Sequence, residues 1–107
     1  MEKKIHFLKL SGFIPENKRK EFEQTFRFIF RQLPADCIEH DLSADINFPG
    51  RYHFYSLWPS LNSLAVFMKS QEFLVLEGAY EALGSLDKTS SGELVDNQNL
   101  HAAKSSL

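Results

Sequence analysis

Histidine, tyrosine and tryptophan crowd residues 37–58 of this chain, and each offers a different piece of chemistry. His40 falls on a strand face otherwise made of Ile38, Leu42 and Ala44. A neutral imidazole there could serve as a general base near neutral pH. The commoner role of a histidine on such a face is structural and hydrogen-bonded. Tyr55 could carry a proton on its phenol, and His53 on its imidazole. Trp58, the single tryptophan, presents a flat apolar wall and one donor, which suits an aromatic ligand. It would equally well close a strand-helix corner as core. Phe67 and Phe13 are candidates for the walls of the same pocket.

Other chemistries find less support. Glu39, His40, Asp41 and His53 are metal-ligand types, but strand alternation puts His40 on the face opposite Glu39 and Asp41. No metal is expected. Cys37, the only cysteine, excludes an internal disulfide and has no basic neighbour to lower its pKa. No glycine-rich phosphate loop, nucleophile elbow or cysteine pair occurs, and no other cofactor is expected.

The composition narrows the partners. Twelve basic against 14 acidic residues give a net charge of −2, which is no footprint for a polyanion. Nucleic acid is therefore not an expected partner. No apolar run approaches the ~20 residues that span a bilayer, and the amino terminus lacks a signal-peptide core. No membrane association is expected, and the cytoplasm is the expected compartment. Ten phenylalanines in 107 residues announce a large flat apolar surface to bury.

These groups need elements to position them. Residues 5–12 read as a strand with Ile5 and Phe7 on one face and His6, Leu8 and Leu10 on the other. Pro15 opens a helix that runs to about Leu33, with Phe22, Phe26, Ile29, Phe30 and Leu33 as its core stripe. Phe28 falls off that stripe. Residues 37–46 and 51–58 read as strands joined by the turn Asn47-Phe48-Pro49-Gly50. On the latter strand Tyr52, Phe54, Ser56 and Trp58 share one face; His53, Tyr55 and Leu57 share the other. Ser60 caps a helix over 61–69 with Leu61, Leu64, Ala65 and Met68 as its stripe, which leaves Phe67 off it. A further helix from Ser70 carries Phe73, Leu76, Tyr80 and Leu83 inward. Gly84 is expected as its left-handed cap. Ser90-Ser91-Gly92 reads as a turn before a short last strand, 93–96.

The order of elements is that of the split βαβ, ferredoxin-like fold: α+β, βαββαβ, one antiparallel sheet with helices on one face. The first and third strands are apolar on both faces. A second copy is therefore expected to cover the open sheet face, giving a homodimer. Residues 1–96 form the expected domain, and 97–107 a tail or an arm toward the partner.

From Ile38 to Leu83 the residues resemble a known family. The run Cys37-Ile38-Glu39-His40-Asp41-Leu42, then Asp45, Pro49, Phe54-Tyr55 and Trp58-Pro59-Ser60, is similar to the antibiotic biosynthesis monooxygenase-like family. Phe67, Ser70, Phe73 and Gly78-Ala79 continue the pattern. The resemblance implies a dimeric α/β barrel with a pocket between sheet and helices. Some members oxidise polycyclic phenols or quinols with dioxygen and neither metal nor flavin; others degrade haem. This chain departs from many relatives in having Ser56 where they have glutamate and Phe67 where they have histidine. It also lacks the first-strand asparagine of the haem-degrading members, so haem is not an expected ligand. The expected activity is cofactor-independent oxidation of an aromatic or quinol-type molecule. Trp58, Phe67 and Phe13 would line its pocket, with Tyr55 or His40 assisting proton transfer. The alternative is a non-catalytic dimer of the same fold that binds a small molecule or serves as a stress or accessory protein.

Overall fold

Alternating apolar residues over His6–Phe13 (β1) and Arg51–Trp58 (β3) let these two strands occupy the middle of the sheet, where both neighbours satisfy their backbone groups. Glu39–Ala44 (β2) and Ser85–Glu93 (β4) flank them. The computed structural model describes residues 4–95. Within it the strand order is β2-β3-β1-β4, and every pairing is antiparallel. Three helices connect the strands: Arg19–Phe30 (α1), Leu61–Met68 (α2) and Gln71–Leu83 (α3). This is the expected α+β, ferredoxin-like arrangement.

The register assigns every strand residue to a face. His6 pairs with Trp58, Leu8 with Ser56, Leu10 with Phe54 and Gly12 with Tyr52. On the other edge of β3, His40 pairs with Ser56, Leu42 with Phe54 and Ala44 with Tyr52. All of these lie on the helix side, because directly opposed residues share a face. Leu8, Leu10, Phe54 and Trp58 there are wholly buried against Phe22, Phe26, Leu76 and Tyr80. The Tyr80 hydroxyl lies 3.0 Å from the carbonyl oxygen of Tyr52 and 3.3 Å from that of Leu10. It ties α3 to both central strands, and burial holds its pKa well above the ordinary tyrosine value.

Helix boundaries follow capping chemistry. Ser60 and Ser70 each accept a backbone N–H three residues on, at 3.0 and 3.2 Å, which satisfies one orphan donor of α2 and of α3. The helix expected from Pro15 starts as a one-turn 3₁₀ helix over Glu16–Lys18 and becomes α-helical only at Arg19. It stops at Phe30, four residues before Pro34. Of its expected stripe, Phe22, Phe26 and Ile29 are buried and Phe30 and Leu33 pack partly against them; Phe28 is exposed.

Three local expectations fail. The last strand is β4, Ser85–Glu93, rather than 93–96, so Ser90-Ser91-Gly92 lies inside a strand. Pairing with β1 along its length overrides the local turn preference of serine and glycine. Gly92 is also where a side chain would meet the Phe7 ring, 2.8 Å from the position of its Cβ. Gly84 is not left-handed: its φ is −169°, extended backbone open to any residue. On α2 the buried residues are Leu64 and Phe67, while Leu61 is exposed. Gly50, at φ 92°, is the one positive-φ residue among those described and closes the β2–β3 turn. The expected tail, 97–107, lies outside the described residues.

Candidate functional site

Trp58 ends β3 on the helix side, and there it is sealed. Phe67 stacks on the indole with ring centroids 4.6 Å apart and planes 25° apart, and Phe73 meets Phe67 edge-on at 5.7 Å. Trp58 and Phe67 are both fully buried. The indole N–H donates to Ser56 Oγ at 2.9 Å, and the Ser56 hydroxyl lies 3.4 Å from the Leu8 carbonyl oxygen. Serine at position 56 thus spends the single donor of Trp58 inside the core. Phe67 fills the space beside the ring with carbon. Among the described residues the two stacked rings expose no surface at this corner.

The other sequence-derived candidates do not gather around it. Tyr55 is one residue out of phase with Ser56 and Trp58, so it lies on the opposite face of the sheet; it is buried there, as is Leu57. Phe13 pairs with Arg51, at the end of β1 remote from Trp58, and is partly exposed on that same face. His40 does lie on the helix side, but its ring packs against Phe30, with centroids 4.5 Å apart. Burial pushes the Cys37 thiol up to about 11, which keeps it protonated and unreactive at neutral pH. Among the described residues no group of three or more histidines, cysteines or carboxylates could hold a metal ion.

Open space lies toward the start of β3, away from Trp58, between α1 and the β2 edge. A cavity of about 260 Å³ is lined by Phe26, Phe30, Leu42, Ala44, Tyr52 and Glu23, with Arg27 and Asp41 at its margins. The core stripe of α1 supplies two aromatic rings, and β2 and β3 supply aliphatic and phenolic wall. Its polar end is one pair: the Tyr52 hydroxyl donates to Glu23 Oε2. Glu23 also lies 3.5 Å from Arg27, one helical turn on. Burial, and secondarily the Glu23 carboxylate, push the Tyr52 phenol up to about 12, so it remains a donor at neutral pH. The site is a slot with aromatic and aliphatic walls, Glu23 held by Tyr52 at one end, and Arg27 and Asp41 also in its lining.

Sequence reasoning passed over Glu23 and Tyr52. A signal existed: Tyr52 sits on the helix side of β3, and a buried tyrosine hydroxyl needs a partner. Glu23 and Arg27, four residues apart, border the Phe26–Phe30 stripe of α1.

The open face of the sheet carries a second polar cluster. Asp45 Oδ1 accepts the backbone N–H groups of Asn47 at 2.8 Å and Phe48 at 3.1 Å, which fixes the carboxylate at the turn. Its Oδ2 lies 3.2 Å from His53 Nε2, and His53 Nδ1 lies 2.8 Å from Ser11 Oγ. If His53 Nε2 carries the proton, Ser11 donates to Nδ1 and the three form a serine-histidine-aspartate relay. A hydrolase also needs backbone N–H groups aimed at an oxyanion. Ser11 is paired on both sides, with His53 on β3 and Lys88 on β4, so its strand's backbone is engaged in the ladders. The cluster fastens the β2–β3 turn to β1.

One prediction follows from its charge. Chiefly through the His53 hydrogen bond, and then the two turn N–H groups, Asp45 is held below the ordinary carboxylate pKa. A depressed carboxylate contributes stability that is present above its unfolded value, ~3.9, and is lost as pH falls through the folded one. Asp45→Asn keeps an acceptor for the turn but loses the charge. Its melting temperature is expected to lie below that of the parent at pH 7, with the gap closing below pH ~4. Thermal melts between pH 7 and 2 check this; a gap that does not depend on pH would refute it.

Comparison with known proteins agrees on the architecture. No family model matches the chain. No curated protein matches it in sequence. Solved structures do resemble it. A putative antibiotic biosynthesis monooxygenase from Nitrosomonas europaea superposes with a TM-score of 0.73 at 10% identity, covering 92% of this chain and 95% of that one. A second, from Deinococcus radiodurans, gives 0.70 at 18% identity, covering 90% and 96%. A conserved protein from Methanosarcina mazei Go1 gives 0.69 at 14%, covering 86% and 91%. The fold that the residues from Ile38 to Leu83 resemble is therefore the fold the chain adopts.

Proposed function

We propose that this chain, which shares its fold with antibiotic biosynthesis monooxygenases, oxidises a small aromatic or quinol-type molecule without a cofactor. The observation that carries the reading is the cavity between α1 and β2, with Phe26 and Phe30 for walls and the Tyr52–Glu23 pair at one end. At about 260 Å³ it falls just below the usual size of a drug-like pocket, so its ligand has one or two rings. In such a reaction the substrate supplies the electrons. A hydroxyl that gives up its proton enriches the ring, and a ring C–H carbon ortho or para to it reacts with dioxygen. One oxygen atom stays on that carbon as a quinone carbonyl; the other leaves as water with the ring hydrogen and the hydroxyl hydrogen. The protein's part is to seat the ring, hold the hydroxyl proton and exclude bulk water.

The reading includes a homodimer through the open sheet face. Phe7 and Phe13 lie partly exposed on that face, where Tyr55 and Leu57 are already buried within the single chain. Lys9 and Lys88 lie toward its β4 edge, and Glu39 and Asp41 lie at its β2 edge. A two-fold axis running along the strands would set each edge against its opposite in the second copy.

An oxygen electrode tests the activity with naphthols and hydroquinones. Saturable uptake is expected, abolished by Ala44→Trp, which fills the cavity from its exposed rim. Neither uptake nor binding across the panel would refute the reading. Binding without uptake would favour a second reading, a non-catalytic small-molecule carrier. The observation behind that alternative is Trp58, whose donor and both flanks are consumed by Ser56 and by packing.

A further inference from the structure

We propose that Glu23 decides which aromatic enters the α1–β2 cavity: its carboxylate takes a ligand hydroxyl as donor and refuses a ligand carboxylate. The inference rests on the reading that this cavity holds an aromatic ligand. It concerns a residue of α1, outside the run from Ile38 to Leu83 whose motifs resemble a family.

The geometry gives Glu23 this role and denies it to its neighbours. Phe26, Phe30, Leu42 and Ala44 supply carbon, which discriminates rings by size alone, and Asp41, the other carboxylate of the lining, belongs to the opposite face of β2 and accepts the backbone N–H of Leu42. Tyr52 cannot choose among ligands, because its one proton is committed to Glu23 Oε2 and its phenol stays protonated. Arg27 is mostly exposed and reaches Glu23 Oε1 from the solvent side. Each oxygen of Glu23 therefore has one partner, and a carboxylate oxygen can accept a second hydrogen bond. What it offers a ligand is acceptor capacity with negative charge at the end of the slot. A ring hydroxyl matches it. A methyl ether at the same ring position brings no proton, and an arylcarboxylate brings like charge. Tyr52 acts here as a positioning residue: it holds the Glu23 side chain over the cavity instead of letting it swing into solvent.

The experiment uses the full chain and three probes of nearly one shape: 2-naphthol, 2-methoxynaphthalene and 2-naphthoate. Affinities are measured by calorimetry at pH 7. Naphthol is expected to bind about tenfold or more tighter than the ether, the scale of one hydrogen bond to a charged group, with naphthoate weakest. Glu23→Gln should narrow the naphthol–naphthoate gap to within about threefold while leaving binding of the ether unchanged. Tyr52→Phe should weaken naphthol selectively and leave the ether as before, an outcome that a merely structural role would not give. Glu23 is partly exposed, and unchanged melting of E23Q confirms that the variant folds. Three probes of equal affinity, insensitive to E23Q yet blocked by A44W, overturn the inference and leave the cavity reading standing. Naphthoate binding tightest overturns it too and gives the selection to Arg27. No binding of any probe removes both.

Discussion

Replacing Phe67 by alanine is expected to lower the folding free energy by about 3–5 kcal/mol, the range for emptying a buried aromatic position. For a domain of this size that is a fall in melting temperature of roughly 15 °C or more. The size of the effect follows from what the ring touches. Phe67 is fully buried, stacked on Trp58 at 4.6 Å and met by Phe73 at 5.7 Å. Truncation removes the wall that α2 sets against the end of β3 and leaves a void that two rigid rings cannot close. A residue lining a ligand pocket behaves differently, because its outer side already faces solvent or ligand and its loss costs binding more than stability. The variant should therefore unfold at lower urea with an unchanged m-value, while probes of the α1–β2 cavity bind as before. A loss below about 1 kcal/mol, or a selective loss of probe binding, would return Trp58 and Phe67 to the role of pocket walls.

Ser56 explains why this corner closed. A longer acid at that position would reach past the indole N–H, and an imidazole in place of Phe67 would need a polar partner. Serine is short enough to sit under the indole, accept its proton at 2.9 Å and turn its own hydroxyl toward the β1 backbone. With phenylalanine opposite, the corner has no unsatisfied group that a ligand must meet. The open cavity on the helix face lies instead beside the first helix and the start of β3.

The parts of the fold that were legible in the sequence are those set by long apolar patterns. The central strand β3 runs over the expected residues, 51–58, since alternation over eight residues specifies a face with little ambiguity. Phe22, Phe26 and Ile29 were readable as the buried stripe of α1 for the same reason, at helical period. What failed was decided by partners distant in sequence. Ser85–Glu93 holds one large aliphatic residue, and only the backbone of β1 makes it a strand. Alternation alone sets Tyr55 on the face opposite Trp58. Phe13, one residue past the expected strand, is placed only by the β1–β3 register, at the end remote from Trp58. The cavity was invisible because Glu23 and Tyr52, 29 residues apart, meet only when α1 lies on the sheet.

Two alanine substitutions at glycine should have opposite signs, and together they test how α3 joins β4. A Cβ on Gly84 would stand 2.0 Å from the Phe13 carbonyl oxygen and 3.0 Å from Ile14 Cα. Both are main-chain atoms of the β1 end, which cannot swing aside as the tip of a side chain can. With φ at −169° the backbone there suits alanine, so the penalty is one of space alone. Gly84→Ala is expected to cost about 3 kcal/mol or more, the upper part of the range for overpacking, because α3 must lift from β1 to admit the methyl group. Gly78 sits mid-helix on the exposed side of α3, and nothing approaches its would-be Cβ within 4 Å. There alanine restricts the unfolded chain and removes the helix penalty of glycine, so Gly78→Ala is expected to gain about 0.5–1 kcal/mol. Urea titration of the two variants beside the parent decides the matter. A stable Gly84→Ala would mean that the close contact between the start of β4 and the end of β1 does not hold in solution. A destabilised Gly78→Ala would mean that this face of α3 is covered by another chain, which would extend the assembly beyond the open face of the sheet.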